Sequence, residues 1–241
     1  MCRRWAAVGC LMLAFGARAD TVDLGYVGTG YGRVVRITLG AQTRDMFAGR
    51  LIHEAAGGTG ALSGLPASIV TFSVDILQSL STAPSPYASS SLATLSGNGG
   101  ATNLGYAKQQ AIYDIYQAAA GRQLTLGLDY ATAFQVAVWE VVYDFSPTAP
   151  NHGLNVTSGS FRATAPGQGS LSASITEKVQ FLLGSVGIGA TAHGLIGLRS
   201  GPYQDQLYAP ESTLVPLPLA VWPAIGGLGL VAVAKYRRRR A

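Results

Sequence analysis

Residues 129–145, DYATAFQVAVWEVVYDF, predict a helix that is apolar on almost every side. One stripe at helical spacing runs from Phe134 to Val142, and Trp139 extends the apolar surface around the helix. A helix of this kind is buried on most sides. Pro147 ends it, because proline cannot continue the backbone hydrogen bonds. The rest of the domain must therefore pack around this segment.

Segments on both sides of this helix complete the predicted domain. The predicted elements are strands at 32–41, 44–54, 67–77 and 192–211, helices at 104–121 and 174–183, and loops rich in Ser, Gly and Pro at 81–103 and 146–170. Ser174 and Glu177 form a capping-box pattern at the start of the last helix. Strands, then helices, then strands indicate the α+β class, as a β-rich sandwich or barrel with an inserted helical lobe.

Residues 1–19 predict a secretory signal peptide. Two arginines precede an apolar run over residues 5–15, and Ala17 and Ala19 form the small-x-small pattern that predicts cleavage after Ala19. The apolar run is too short to span a bilayer, which needs about 20 residues.

Residues 214–241 predict a C-terminal segment of a different kind. No charged residue occurs from Leu214 to Ala234, which is long enough for a transmembrane helix of about 20 residues. Basic residues follow at once, and the positive-inside rule keeps them cytoplasmic. The chain is thus expected to be exported first and halted at this helix.

The same segment holds three features in a fixed order: a proline motif, an apolar helix and a terminal arginine cluster. The motif is Val215, Pro216, Leu217 and Pro218, and the cluster is Arg237, Arg238, Arg239 and Arg240. This layout resembles the VPLPA variant of the PEP-CTERM sorting signals of Gram-negative bacteria. The resemblance implies an exosortase-type processing enzyme as partner, transient residence in the inner membrane, and delivery to the outer surface or extracellular matrix. A plain C-terminal anchor is the alternative.

Without these two segments, residues 20–213 form the expected exported domain. Both cysteines, Cys2 and Cys10, lie in the signal peptide, so the domain has no disulfide or thiol nucleophile. Eight of the 17 Lys and Arg lie in the terminal segments, whereas all 12 acidic residues fall between Asp20 and Glu211. The domain therefore carries a net charge of about −3, which gives no basis for nucleic-acid binding.

Few side chains suggest catalysis, a metal or a cofactor, and we expect none of the three. His53, His152 and His193 are scattered without metal-ligand spacing and are interpreted as surface or loop residues. The glycine-rich stretches 28–30 and 97–100 lack the residues of a phosphate loop and are interpreted as turns. The carboxylates of the buried helix, Asp129, Glu140 and Asp144, are interpreted as a cap and solvated positions.

Two short segments carry a second resemblance. TFSVDI at 71–76 and AFQVAVWEVVYD at 133–144 resemble the signature segments of thioester domains in bacterial surface proteins, over residues 24–210. The matching residues are Phe72, Val74, Asp75, Gln135 and Trp139. In that family a strand Cys and a helix Gln condense into a thioester that acylates amines on target molecules.

Ser73 occupies the position of the family's Cys and excludes a thioester. A serine hydroxyl needs an adjacent general base to act as a nucleophile. The sequence predicts that Ser73 is a small residue at a tight strand–helix contact, and that Gln135 bonds the backbone or Ser73. Asp75, two residues on, is within reach of Ser73 on an extended strand. An ester between Ser73 and Gln135 is the alternative.

These observations favour a non-enzymatic structural or interaction module at the cell surface or in an exopolysaccharide matrix. An extracellular polysaccharide or another surface molecule is the expected partner. The first alternative is covalent adhesion or stabilisation through a Ser73–Gln135 ester. The second is a carbohydrate-binding module, since 11 tyrosines offer stacking faces, although no aromatic cluster stands out in the sequence.

Overall fold

The computed structural model describes residues 19–97, 99–119, 127–167, 169–191 and 194–210. The described elements, from Thr21 to Tyr208, belong to one compact unit. The strands are β1 (Thr21–Leu39), β2 (Gln42–Ala56), β3 (Ser68–Ser73), β4 (Ser85–Ser90), β5 (Ser96–Gly97), β6 (Thr102–Asn103), β7 (Phe161–Thr164), β8 (Ile196–Arg199) and β9 (Gln206–Tyr208). The helices are α1 (Gly105–Ala119), α2 (Leu128–Asp144) and α3 (Ala173–Leu183). Short 3-10 turns lie at Gly60–Leu62, Leu92–Thr94 and Pro150–Gly153.

Seven strands form one antiparallel sheet in the order β2-β3-β9-β8-β4-β1-β7. Strand β1 also pairs with β2, so the six strands β1, β2, β3, β9, β8 and β4 form a closed circuit of hydrogen-bonded neighbours. Strand β7 lies outside this circuit and pairs with the C-terminal end of β1. Strands β5 and β6 form a separate two-stranded ribbon. The predicted α+β class, with a predominant antiparallel sheet, is confirmed.

The long hairpin of β1 and β2 is the largest part of the circuit. Its two strands approach closely where Gly32 lies opposite Gly49. A Cβ atom added at Gly49 would lie 2.4 Å from the main-chain oxygen of Tyr31, so a residue with a side chain does not fit. The register shifts just before this pair, between Thr29 and Gly32, which bends the hairpin.

Two hydrophobic cores lie on opposite faces of the strands. The smaller core contains Leu24, Ile69, Tyr87, Leu198 and Tyr208, one from each of five strands of the circuit. The larger core lies between the strands and the helices, where Phe72 of β3 packs edge-on against Phe134 at 4.8 Å. Alternation along β3 explains the division, because Ile69 and Phe72 lie an odd number of residues apart and point to opposite faces.

Helix α2 is the centre of the larger core. Every residue from Ala131 to Val142 is buried, and the helix packs against β1, β2 and β7 as well as α1 and α3. The predicted burial on most sides is confirmed. Each large apolar side chain, such as Phe134 or Trp139, stabilises the fold by about 1.5–3 kcal/mol through burial.

The two predicted long loops were wrong in part, because 81–103 contains β4, β5 and β6, and 146–170 contains β7. Residues 85–90 form β4, which pairs with β1 and β8, and residues 161–164 form β7, which pairs with β1. Main-chain pairing holds these short polar segments, and β4 buries only one large side chain, Tyr87. A pattern of apolar alternation cannot identify a strand of this composition.

The start of α3 also differs from the prediction. Ser172, and not Ser174, is the N-cap residue, and its hydroxyl accepts a hydrogen bond from the Ile175 main-chain N–H at 3.3 Å. The helix begins at Ala173 because this bond satisfies a donor of its first turn.

His53 on β2 is only 1% exposed, so its interpretation as a surface residue was wrong. Its ring lies edge-on to Tyr26 at 5.9 Å, and neither ring nitrogen has a hydrogen-bond partner among the described residues. Burial lowers the pKa of His53 to about 4. The folded protein therefore holds this histidine neutral well below the pH at which the unfolded chain protonates it.

We expect His53→Leu to stabilise the protein more at pH 5 than at pH 7.5. The unfolded state takes up a proton near pH 6.5 and the folded state only near pH 4, so wild type loses stability as pH falls between these values. His53→Leu has no imidazole at this position, so it does not lose stability in this pH range. Urea unfolding at both pH values measures it, and an unchanged pH dependence in the variant would show that His53 does not titrate as described.

Candidate functional site at Ser73 and Gln135

The structure brings Ser73 and Gln135 into direct contact. Ser73 is the last residue of β3, and Gln135 lies in the second turn of α2 with no exposed surface. The Gln135 Oε1 accepts a hydrogen bond from the Ser73 main-chain N–H at 2.9 Å, and its Nε2 donates to the Ser73 main-chain oxygen at 2.8 Å. The side-chain amide thus pairs with the end of the strand as another strand would.

The Ser73 hydroxyl lies at the same strand–helix contact and is held by a different residue. Trp139, one helical turn after Gln135, donates from Nε1 to the Ser73 Oγ at 3.3 Å. The described residues offer no acceptor for the hydroxyl proton of Ser73, and neither a carboxylate nor an imidazole bonds to it. This hydroxyl therefore lacks the general base that a serine nucleophile requires.

Asp75 does not bond to Ser73, which corrects the sequence-based expectation. Its carboxylate accepts hydrogen bonds from the main-chain N–H groups of Leu77 at 2.8 Å and Gly99 at 2.6 Å, and from the Tyr143 hydroxyl at 2.8 Å. Strand β3 ends before Asp75, so strand alternation no longer relates its side chain to Ser73. Its role is to anchor the segment after β3.

The glycine-rich stretch 97–100 holds this carboxylate. Gly99 and Gly100 have φ values of 72° and 85°, a conformation that glycine adopts readily, and both direct their N–H groups to Asp75. Tyr143 donates from the other side, and burial together with the Asp75 charge raises the pKa of Tyr143. Gly99 and Gly100 lie in a turn, as expected, with an anion-binding geometry that the protein's own aspartate occupies. The turn predicted at 28–30 was wrong, because these residues lie within β1.

A cavity of about 360 Å³ lies beside Ser73. It is lined by Tyr26, Thr29, Arg44, Met46, Phe47, Leu51, Ser73, Ile76, Leu77, Gln78, Ser79, Leu80, Trp139 and Gln204. Arg44 donates from Nη2 to the main-chain oxygen of Ile76 at its wall. The cavity combines aromatic, polar and cationic side chains next to the contact of β3 with α2.

Gln204 and Gln206 also hold the end of β3, and sequence reasoning missed both of them. Gln206 accepts a hydrogen bond from the Thr71 hydroxyl at 2.8 Å and donates to the main-chain oxygen of Gln204 at 2.9 Å. Gln204 donates to the main-chain oxygen of Asp75. Each is a single polar residue in a loop or a short strand, so only the folded structure shows that it is buried.

The acidic residues of α2 occupy three different environments. Asp129 in the first turn forms an ion pair with Arg33 at 2.8 Å, and Asp144 at the end accepts hydrogen bonds from the main-chain N–H groups of Ser160 and Phe161. Glu140 has no exposed surface, so its interpretation as a solvated residue was wrong. Its Oε1 accepts from the Asn155 main-chain N–H at 2.6 Å, and its Oε2 has no partner among the described residues.

The other predicted site residues lie apart from this contact or outside the described residues. His152 stacks on Phe145 at 5.3 Å in the 3-10 turn after α2. Ala19 is exposed and is the first described residue. The residues outside the described ranges are His193, the cleavage residue Ala17, the sorting motif at 215–218 and the arginine cluster at 237–240.

Within the described ranges, no group of three or more His, Cys, Asp or Glu side chains is placed to hold a metal ion. The helices of the described segments are each too short or too polar to cross a membrane. Comparison of the chain with protein-family models, with curated proteins and with solved structures finds no match.

Proposed function

We propose that this chain is an exported, non-enzymatic interaction module, sorted at its C-terminus and deposited at the cell surface or in an extracellular matrix. In this proposal the domain is a thioester-domain-like barrel with an inserted helical lobe, and it lacks the thioester. An exosortase-type enzyme processes the chain near Pro216 and Pro218, after residues 214–241 have held it transiently in the inner membrane.

The contact between Ser73 and Gln135 carries the non-enzymatic part of the proposal. Both polar ends of the Gln135 amide bind the Ser73 main chain, and the Ser73 hydroxyl has an indole donor in place of a base. These hydrogen bonds tie β3 to α2 and satisfy groups that would cost about 1–3 kcal/mol each if left unpaired. The pair therefore supports a structural role.

Fractionation of cells tests the sorting part of the proposal. In a Gram-negative host that carries an exosortase, we expect wild type in the outer-surface or medium fraction without its C-terminal tail. Replacing Arg237, Arg238, Arg239 and Arg240 by Ala should leave the tail attached and the protein in the cell envelope, because the cytoplasmic charges no longer fix the helix. Arg162→Ala, an exposed change on β7, is the control. Wild type with an intact tail in the cytoplasmic membrane would contradict the proposal.

A Ser73–Gln135 ester is the second candidate, and the closeness of the two residues favours it. In that reaction the Ser73 Oγ would attack the Gln135 Cδ and form a C–O bond, the C–N bond would break, and ammonia would leave with the hydroxyl proton. The ester could serve static stabilisation or covalent adhesion.

Intact-mass measurement of wild type and Ser73→Ala separates the two candidates. We expect both proteins to show the mass of the unmodified chain, because no described base activates Ser73. A deficit of one ammonia in wild type that is absent from Ser73→Ala would establish the ester and overturn the non-covalent assignment.

A further inference from the structure

We propose that the cavity beside Ser73 binds a hydroxylated carboxylate, of which a uronic acid unit of an acidic polysaccharide is the macromolecular form. The inference rests on the proposed interaction role and names the ligand class of the same site. Three features of the cavity wall carry it: an arginine, an unused donor and acceptor, and a group of aromatic side chains.

Among the described residues that line the cavity, Arg44 is the one that carries a charge. Its Nη2 donates to the main-chain oxygen of Ile76, and it forms no ion pair within the described ranges. Arg33 and Arg36, by contrast, are paired with Asp129 and Asp45. The remaining N–H groups of Arg44 suit a carboxylate, since a guanidinium binds this group through paired, charge-assisted hydrogen bonds.

Ser73 and Gln78 add neutral hydrogen-bonding capacity to the same wall. The Ser73 hydroxyl proton has no acceptor in the described part of the chain, because its Oγ only accepts from Trp139. The Gln78 Oε1 has no donor there. A ligand hydroxyl can accept from Ser73 and donate to Gln78, so a ligand with hydroxyl groups satisfies both.

Tyr26 of β1, Phe47 of β2 and Trp139 of α2 line the cavity together. Aromatic walls with a few convergent polar groups are typical of small-molecule sites. A volume of about 360 Å³ is near the lower end of the usual range, which favours a compact ring over a long chain. A sugar acid carries a carboxylate and several hydroxyl groups on one compact ring, whereas the amide groups of a peptide lie along an extended chain, so we favour the sugar acid.

Tryptophan fluorescence of the purified full chain tests this site. Trp5→Phe and Trp222→Phe leave Trp139 as the only tryptophan. The probes are glucuronate and galacturonate, the neutral sugars glucose and galactose, and N-acetyl-dialanine as a peptide carboxylate. We expect the uronates to change the emission and to bind about tenfold more tightly than the neutral sugars and the peptide, with weakening at high salt.

Variants of Arg44 and Ser73 locate the binding. Arg44→Gln should weaken uronate binding about tenfold or more, Ser73→Ala should weaken it by a smaller factor, and Arg162→Gln on β7 should not change it. Arg44→Lys keeps the charge and controls for folding, with thermal unfolding followed by circular dichroism for every variant. We expect it to bind uronate more tightly than Arg44→Gln.

Four results would overturn the inference: no uronate binding by wild type, equal binding of neutral sugars, tighter binding of the peptide, or full binding by folded Arg44→Gln. Each would leave the fractionation result of the sorting proposal untouched. If the protein binds uronate but retains its tail in the cytoplasmic membrane, the binding site is supported and the sorting proposal fails.

Discussion

Gln135→Leu is expected to lower the free energy of unfolding by about 3–5 kcal/mol, the largest effect of any substitution at the site. Leucine has a similar size, so the change mainly removes the two hydrogen bonds to Ser73. It leaves the N–H and the oxygen of Ser73 buried without partners, and each unpaired group costs about 1–3 kcal/mol. Urea unfolding at pH 7, followed by circular dichroism, measures the loss.

Gln180→Leu on α3 is the matched control. Gln180 is exposed, so the same chemical change should alter stability by about 0.5 kcal/mol or less. If Gln135→Leu costs no more than this control, the Gln135 amide does not hold β3 to α2.

Glu140→Gln is expected to make the protein more stable than wild type by about 2–4 kcal/mol at pH 8.5, and to have little effect at pH 5. Burial raises the pKa of Glu140 to about 8, against about 4.5 in the unfolded chain. The folded state therefore holds a proton that the unfolded state releases, and wild type loses stability as pH rises from about 4.5 to about 8. Glutamine cannot ionise and keeps the acceptor for the Asn155 N–H.

Thermal unfolding of both proteins from pH 5 to pH 9 tests this prediction. The variant should show a flatter curve, and Glu177→Gln, an exposed change on α3, should follow wild type. Parallel curves for wild type and Glu140→Gln would mean that Glu140 is not held neutral in the folded state. His53 makes wild type lose stability as pH falls from about 6.5 to about 4, so the two pH dependences have opposite signs. Each is removed only by its own substitution, so the two variants measure them separately.

Most of the secondary structure follows from patterns in the sequence, and the missed strands have a common physical cause. The apolar periodicity of 129–145 predicts α2, and the alternation from Val35 to Leu39 falls within β1, although the predicted strand 32–41 extends two residues into the turn. Strand β4 contains three serines among six residues, so its pairing comes from its main chain rather than from an apolar face. The closure of six strands into a circuit is a long-range property that local patterns do not contain.

The residues that form the site could be predicted from the sequence, but the hydrogen bonds between them could not. The resemblance at 71–76 and 133–144 indicated that Ser73 and Gln135 meet, and the structure places them in contact through the Ser73 main chain. The cavity is different, because Tyr26, Phe47 and Trp139 are far apart in sequence and only the fold assembles them. Burial of Glu140 was also missed, since nothing in its local sequence reveals the segment around Asn155 that covers it.

The most direct test is the intact mass of the protein recovered from the cell surface of an exosortase-containing host. We predict a chain that begins at Asp20, ends near the proline motif at 216–218, and shows no loss of ammonia. Together these values would report export, C-terminal processing and an unreacted Ser73–Gln135 pair in one spectrum. A chain that keeps residues 219–241, or one lighter by the mass of ammonia, would contradict the sorted, non-covalent module proposed here.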